Sequence, residues 1–165
     1  MNEPAIVHRG TVHYAGVPIG VTLAEWGRAN ALVPEIYGWL AQRGITPGGG
    51  PVYRYRTIGD TERPFELEVG VPVAAPVEGD GRVLARTLPE GAYAVLLHEG
   101  HPDGLGEAHR ALRAWAEGEG HFLDRDGDAW AAVYESYLTD PAQEPDLNKW
   151  RTELAYLVKE AGQAG

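Results

Sequence analysis

The sequence predicts an α+β fold built from two tandem βαββ repeats that are related by a pseudo-twofold axis. Three observations support this prediction. Strand signals and helix signals follow one another in the same order in both halves of the chain. Each half contains a helix with a tryptophan five residues before a glycine, at Trp39 and at Trp115. The strand around Tyr55 matches the strand around Tyr137, so the second half repeats the first with longer loops.

The first repeat covers about residues 1–75. The segment "AIVHRGTVHYAGVPIGVT" has the apolar pattern of strands, with a bend at Gly10. In "VPEIYGWLAQRG" apolar side chains recur at helical spacing, Pro34 suits a first helical turn, and Gly44 is a natural C-terminal stop. The segments "PVYRYRTI" and "FELEVGVPV" then predict two strands on either side of the turn "GDTERP".

The second repeat covers about residues 81–159 and follows the linker "APVEGDG". Strands are predicted for "GRVLARTLPEGAYAVLLHEG", and "DGLGEAHRALRAWAEGEG" predicts an amphipathic helix with Leu105 and Leu112 on its buried stripe. Two further strands are predicted for "AWAAVYESYL" and "WRTELAYLVK", and Glu153 in the last strand matches Glu68 in the first repeat. Two such units would pack as a pair and leave a groove between them, in which a ligand could bind.

Composition and charge argue against several classes of protein. No run reaches the roughly 18 apolar residues of a membrane span, and the N-terminus lacks the pattern of a signal peptide, so the cytoplasm is the expected location. The formal net charge of −10 argues against a nucleic-acid partner, because such binding depends on clustered Lys and Arg. The absence of cysteine excludes disulfides, thiolate metal sites and a cysteine nucleophile.

Three short motifs resemble known sites but fail their spacing. The histidines of "HEGH" are three residues apart instead of four, and a proline follows them. In "DRDGD" the glycine is at the fourth position of a calcium loop instead of the sixth, so an Asp-Gly hairpin turn fits better. The "GGG" segment lacks the Lys-Ser/Thr of a phosphate loop. We therefore expect no metal site and no cofactor.

A carboxylate lies in the middle of an apolar strand. In "AAVYESYLTD" one strand face carries Val133, Glu135 and Tyr137, the other carries Tyr134 and Leu138, and both faces are largely apolar. A strand of this kind is usually covered on both sides, where a charged group needs a reason to be. Glu135 is therefore a candidate functional residue. The alternative is a structural ion pair with an arginine of a neighbouring strand, for which the candidates are Arg54, Arg56 and Arg151.

Aromatic side chains are predicted around this carboxylate. If Tyr55 matches Tyr137, then Tyr53, Tyr55 and Tyr137 share its strand face and line the groove, whereas a slip of one residue would turn the first two away. Trp26 and Trp150 lie in or beside loops near the ends of the groove. We expect both tryptophans to contact a ligand.

These segments resemble the GyrI-like small-molecule-binding family, whose domain also serves as the effector-binding module of multidrug-responsive transcription activators. The resemblance is carried by "HEGHPDGLGEAHRALRAWAEGEG", "VYESYLTDP" and "EPDLNKWRTELAYLV", and the repeated architecture extends it over nearly the whole chain. It implies a single domain over residues 1–165, with repeat halves 1–75 and 81–159. It also implies that Glu135 faces a pocket of aromatic side chains and pairs with flat, cationic ligands. No helix-turn-helix segment accompanies the domain, so a stand-alone form is expected.

Three functions are compatible with this resemblance. The first is binding or sensing of planar, cationic aromatic compounds, with neither nucleic acid nor membrane as a direct partner. The second is hydrolysis of strained-ring, cyclopropane-containing toxic compounds, for which Glu135 would be the catalytic acid or base. The third is a protein-binding adaptor of the gyrase-inhibitor type. The first two share one site, because aromatic faces stack a planar molecule while a desolvated carboxylate either neutralises a cation or moves a proton.

Overall fold

The computed structural model describes residues 2–59, 61–127 and 129–159. Within these residues the chain forms ten β-strands and three α-helices, and the predicted α+β class is confirmed. The strands are β1 (Ala5–Arg9), β2 (Val12–Val21), β3 (Val52–Thr57), β4 (Phe65–Val73), β5 (Leu84–Leu88), β6 (Gly91–Glu99), β7 (Arg125–Asp126), β8 (Ala129–Trp130), β9 (Val133–Tyr137) and β10 (Arg151–Leu157). The helices are α1 (Trp26–Asn30), α2 (Leu32–Gln42) and α3 (Leu105–Gly118).

Eight strands form one sheet in the order β1-β6-β10-β9-β3-β4-β2-β5, and β7 and β8 form a separate hairpin. This order is symmetric about the antiparallel pair formed by β9 and β3. On either side of that pair, β10 corresponds to β4, β6 to β2 and β1 to β5. The pseudo-twofold axis therefore passes between the central strands, where the two halves of the chain meet.

Each half contributes to the eight-stranded sheet one strand more than the predicted βαββ unit, and the second half adds the separate hairpin β7–β8. The additional strands are β1 and β5, which are the first strands of their halves. β1 pairs with β6 of the second half, so that Val7 lies opposite Tyr93. β5 pairs in the same way with β2 of the first half, where Arg86 lies opposite Tyr14. The two halves thus exchange their first strands. The edge strand beside β6 of the second half is β1 of the first half, and the edge strand beside β2 of the first half is β5 of the second half.

The helices begin and end near the residues that the sequence indicates. α2 begins at Leu32, so that Pro34 lies in its first turn as predicted, and the short helix α1 precedes it. Gly44 and Gly120 follow α2 and α3 with φ angles of 68° and 82°, the left-handed conformation that ends many helices. None of the helices formed by the described residues is long and apolar enough to cross a bilayer.

The two faces of the sheet have different surroundings. On the face that we call the helix face, side chains of α2 and α3 such as Ile36 and Leu112 pack against strand residues such as Val69. The opposite face carries a smaller apolar cluster around Tyr14 and Tyr93. Since side chains of a strand alternate between faces, β3 contributes to both, and this determines which of its residues can reach the groove.

Candidate functional site

The central strands bring the predicted tyrosines and Glu135 to one face. Tyr53 on β3 lies directly opposite Glu135 on β9, and Tyr55 lies opposite Val133. Side chains two residues apart share a face, so Tyr53, Tyr55, Glu135 and Tyr137 all lie on the helix face, close to the pseudo-twofold axis. A register slip that would turn the first-half tyrosines away is not found.

The carboxylate of Glu135 is buried and fully hydrogen-bonded. The residue is 2% exposed. Its Oε1 accepts hydrogen bonds from the hydroxyls of Tyr55 and Tyr137, each at 2.8 Å. Its Oε2 lies 2.7 Å from Nε2 of His109, which projects from α3. Strands from both halves and a helix from the second half therefore meet at this one side chain.

The alternative of an arginine pair for Glu135 is not found among the described residues. Arg54 extends from the opposite face of β3, where it donates to the hydroxyl of Tyr14 and to backbone carbonyls. Arg56 shares that face and lies near Glu68. Arg151 is exposed at the start of β10. The parity of β3 explains the difference, because arginines that alternate with Tyr53 and Tyr55 cannot share their face.

His109 connects Glu135 to the buried Tyr156 and to Arg113 beyond it. Nδ1 of His109 lies 2.7 Å from the hydroxyl of Tyr156, and that hydroxyl accepts a hydrogen bond from Arg113 at 2.9 Å. On its other side, Nε2 of His109 donates to the carboxylate of Glu135, because a carboxylate can only accept. Two phenols and one imidazole therefore surround Glu135, and no arginine or lysine of the described residues contacts it.

The two phenols beside Glu135 stay protonated. Burial raises the pKa of Tyr55 and of Tyr137 well above the ordinary value, and the negative charge of Glu135 acts in the same direction. Both hydroxyls consequently remain donors throughout the physiological pH range. Protonated phenols solvate a carboxylate without cancelling its charge, and no arginine or lysine of the described residues contacts Glu135.

Trp26 covers the tyrosines from the side of α1. Its ring stacks on Tyr53 and on Tyr55, with centroid distances of 6.2 Å and interplanar angles of 16° and 20°. Tyr53 also packs edge-on against Tyr137 at 5.0 Å. The hydroxyl of Tyr53 donates to Oδ1 of Asn30 at 2.7 Å and so attaches the end of α1 to β3. These contacts make a continuous aromatic surface next to the buried carboxylate.

A cavity of about 770 Å³ lies against this surface, in the groove between the halves. The first half supplies Trp26, Tyr37 and Tyr53 to its lining, and the second half supplies Tyr137 and Trp150. Glu135 and Tyr55 lie behind Tyr53 and Tyr137 and do not line the cavity. A molecule in the cavity therefore meets aromatic faces first. It reaches the carboxylate through the hydroxyl of Tyr137 or after an aromatic side chain moves.

The six residues predicted from the sequence thus occupy two layers. The cavity is lined by Trp26, Tyr53, Tyr137 and Trp150, and the layer behind it contains Tyr55 and Glu135. Trp150 is held by a hydrogen bond of 2.9 Å from its Nε1 to the carbonyl of Glu144. Sequence reasoning missed His109, which contacts Glu135, and Tyr37, which lines the cavity. A signal for His109 exists, because it lies four residues after Leu105 and three before Leu112, on the buried stripe of α3.

The short motifs with imperfect metal spacing do not form a metal site in the described part of the chain. No three His, Asp or Glu side chains there are placed to hold an ion together. His98 bonds to the carbonyl of His101 within a tight turn. In "DRDGD", Asp128 lies outside the described residues, while Gly127 has a φ of 59° between β7 and β8, in keeping with the expected hairpin turn.

An aromatic cavity between two pseudo-symmetric halves, with a buried carboxylate behind it, is typical of a domain that binds small molecules. The comparison with protein families agrees with this class. Residues 3–159 match the GyrI-like small molecule binding domain. The chain therefore belongs to the GyrI-like family. A search of curated proteins found no match.

Several solved structures share the fold. The C-terminal domain of EcmrR superposes with a TM-score of 0.76 and 19% identity, over 98% of this chain and 99% of that one. EcmrR in complex with DNA gives 0.80 and 19% over 97% of this chain, which spans 58% of the length of EcmrR. SAV2435 bound to tetraphenylphosphonium gives 0.61 and 13%, over 95% and 94% of the two chains. Identities this low show a common fold alone.

Proposed function

We propose that this protein binds planar, cationic aromatic small molecules in the cavity between its halves. The observation that carries the proposal is the buried carboxylate of Glu135, which the phenols of Tyr55 and Tyr137 and the imidazole of His109 contact and which no arginine or lysine of the described residues contacts. A buried carboxylate without a permanent cation beside it is costly, and a ligand cation would supply that charge in surroundings of low dielectric. The attraction is strongest for a cation that can leave water easily, as large organic cations do.

The aromatic lining of the cavity supports the proposal that the ligand contains flat aromatic groups. Trp26, Tyr37, Tyr53, Tyr137 and Trp150 present ring faces or edges to the cavity. Ring faces stack flat molecules and attract cations at the same time. The volume of about 770 Å³ is suited to a drug-sized molecule. SAV2435, which shares the fold, was solved with tetraphenylphosphonium, a tetrahedral cation with four flat phenyl rings, which supports the cationic and aromatic parts of the proposed ligand class.

The central experiment compares a cationic ligand with a neutral one of similar shape. Tetraphenylphosphonium and triphenylphosphine oxide would be titrated against the wild type and Glu135→Gln while tryptophan fluorescence is followed. Loss of a charge-assisted contact is typically worth about 1.5–3 kcal/mol, so the cation should bind roughly ten- to hundredfold more weakly to the variant. The neutral compound should bind almost equally to both proteins.

Glu153→Gln is the matched control. Glu153 is also a glutamate in a central strand, but it faces away from the cavity and pairs with Arg9 at 2.6 Å. Its replacement should leave cation binding unchanged. Equal affinity of wild type and Glu135→Gln for tetraphenylphosphonium would contradict the assignment of Glu135.

A second candidate function is hydrolysis of strained-ring compounds in the same cavity. The chain from Arg113 through Tyr156 and His109 holds Glu135 in one orientation, as general acid–base catalysis requires. A hydrolase from Listeria innocua also shares the fold, with a TM-score of 0.65 and 15% identity over 95% of this chain and 92% of that one. Water would add across one carbon–carbon bond of a cyclopropane, with Glu135 taking the water proton and returning it to the opened product.

Turnover distinguishes the two functions. Product formation from a cyclopropane-containing aromatic compound would be followed with the wild type and Glu135→Gln. If the protein is a hydrolase, the variant should lose turnover while it still binds the substrate, because stacking on Trp26 and Tyr53 survives. Absence of turnover in the wild type, together with charge-dependent binding, would leave binding as the function.

A further inference from the structure

The strand that supplies tyrosines to the groove presents arginines on the other face of the sheet. Arg54 and Arg56 alternate with Tyr53 and Tyr55 along β3. With Arg86 they line a second cavity of about 380 Å³, which also includes His13, Pro76 and Val77. This second cavity is distinct from the cavity of the proposed function, because it lies on the opposite side of the same strand.

The charges around the second cavity do not cancel. Glu68 is 3% exposed and accepts hydrogen bonds from the hydroxyl of Tyr14 at 2.5 Å and from Nε of Arg86 at 2.9 Å. Arg56 approaches the same carboxylate at 3.6 Å. Among the described residues Arg56 and Arg86 thus share the carboxylate of Glu68, and Arg54 reaches it only through the hydroxyl of Tyr14. The excess of positive charge is concentrated in one recess of a protein whose formal net charge is −10.

Arg54 has no charged partner in this arrangement. It is 6% exposed, and its terminal nitrogens donate to Tyr14, Thr87 and Ala131 at 3.1, 2.9 and 2.7 Å, where every acceptor is an uncharged oxygen. Its Nε has no hydrogen-bond partner within the described residues. Burial raises the pKa of Tyr14 to about 12, so its hydroxyl keeps its proton and bridges Arg54 to Glu68 without adding negative charge. A buried guanidinium that is compensated only through neutral groups is costly to the folded protein.

We propose that the second cavity binds a small organic anion that carries a carboxylate or phosphate group. The side chains of Arg56 and Arg86 are 43% and 42% exposed, so their guanidinium groups can be reached from solvent. Arginine donates to carboxylate and phosphate oxygens in a bidentate manner, which fits both candidate groups. Pro76, Val77 and Ala85 offer apolar contacts to the remainder of the molecule.

The negative net charge of the protein does not prevent this binding. Charges farther away than the Debye length of about 8–10 Å are largely screened at physiological salt, so the nearby guanidinium groups dominate the local potential. The anion would occupy one face of β3 while the cationic ligand of the groove occupies the other. Failure of one site would consequently not imply failure of the other.

The test is a titration with inorganic phosphate and with benzoate, in chloride buffer at constant ionic strength. Isothermal calorimetry and thermal melting would be used on the wild type, Arg56→Gln and Arg86→Gln. The wild type should bind at least one anion saturably, and each variant should bind it about tenfold more weakly or worse, because a charge-assisted contact is lost. Preference for phosphate or for benzoate identifies which group the natural ligand carries. Arg110→Gln is the control, since Arg110 is exposed on α3.

Glu68→Gln should change the affinity for the anion in the opposite direction to the arginine variants. It removes the carboxylate that Arg56 and Arg86 share and that Tyr14 links to Arg54, so the anion should bind several-fold more tightly if this variant folds. The competing explanation is a purely structural network, which predicts lower melting temperatures for these variants and no saturable binding by the wild type. Absence of saturable wild-type binding to both probes would overturn the proposal, and so would equal affinities of Arg86→Gln and Arg110→Gln.

Discussion

At the scale of single residues, the identity of the donors around Glu135 controls what the site can accept. The phenols of Tyr55 and Tyr137 orient the carboxylate and leave its charge available, and His109 holds the second carboxylate oxygen. An arginine or lysine at the position of His109 would be a permanent cation and would leave a ligand cation little to gain. Arg113 donates to Tyr156, which contacts His109, so a partly buried arginine on α3 helps to hold the imidazole in place.

The donor role of His109 can be tested by two substitutions. His109→Leu removes a hydrogen bond to a buried carboxylate, which should lower the free energy of unfolding by about 1–3 kcal/mol. His109→Gln can still donate through its amide and should recover much of that loss. Urea denaturation measures both. Equal destabilisation by the two substitutions would show that the imidazole contributes packing instead of a hydrogen bond.

The sequence was sufficient to place Glu135 and the tyrosines on a common face, because the strand period of two is a local property. It also contained the reason to reject Arg54 and Arg56 as partners, since both alternate with Tyr53 and Tyr55. It could not identify His109 as the partner. Which strand residue a helix side chain meets depends on how α3 packs on the sheet, and that is decided by contacts between residues far apart in the chain.

At the scale of elements, α1 is the part of the site whose role depends most on a single side chain. This five-residue helix places Trp26 over Tyr53 and Tyr55 and is attached to β3 through Asn30. A helix this short has little stability of its own, so its position depends on these contacts. Trp26 therefore both offers a stacking surface and covers the route to Glu135.

Trp26→Ala should weaken binding of aromatic compounds regardless of their charge. Loss of one stacked ring is expected to cost about 0.5–1.5 kcal/mol, or roughly two- to tenfold in affinity, for the cationic and the neutral probe alike. This outcome differs from that of Glu135→Gln, which should affect the cation selectively. Trp115→Ala is the control, because Trp115 packs near His121 outside the cavity. A cation-selective effect of Trp26→Ala would contradict a stacking role.

At the scale of the whole molecule, the interior contains many phenols on both faces of one sheet. All eight tyrosines of the chain have a pKa above the ordinary value of 10, with burial as the first cause in each case. Phenols sit beside both buried glutamates, Glu68 and Glu135. Protonated tyrosine is therefore the main means by which this fold keeps carboxylates inside the sheet without a full set of ion pairs.

This accumulation of phenols predicts loss of stability at high pH. In the folded state the tyrosines hold their protons above the pH at which the unfolded chain releases them, so the folded state binds more protons there. The stabilisation is complete below about pH 10 and decreases as the pH rises further. Near-ultraviolet absorbance of phenolate and urea denaturation at several pH values would check this. Ionisation of all the tyrosines near pH 10 in the native protein would contradict it.

The pairing between the halves could be predicted only in part. The order of elements and the matching tryptophan–glycine spacings were enough for the repeat and the pseudo-twofold arrangement. The exchange of β1 and β5 was not predictable, because a strand pattern shows which face is buried but not which sheet edge the strand joins. Short, Gly-bounded strands such as β1 carry no local sign of their distant partner.

The exchange of first strands also sets an order of events during synthesis. β1 leaves the ribosome well before its partner strand, because Ala5 pairs with Val95, and β6 emerges only after the rest of the first half has been made. Until β5 and β6 have been made, β2 lacks its partner strand at one edge of the sheet, and β1 has no strand with which to form backbone hydrogen bonds. Completion of the sheet therefore waits for translation of the second half, and a nascent chain stopped before β6 has an unpaired strand that a chaperone or another chain can bind.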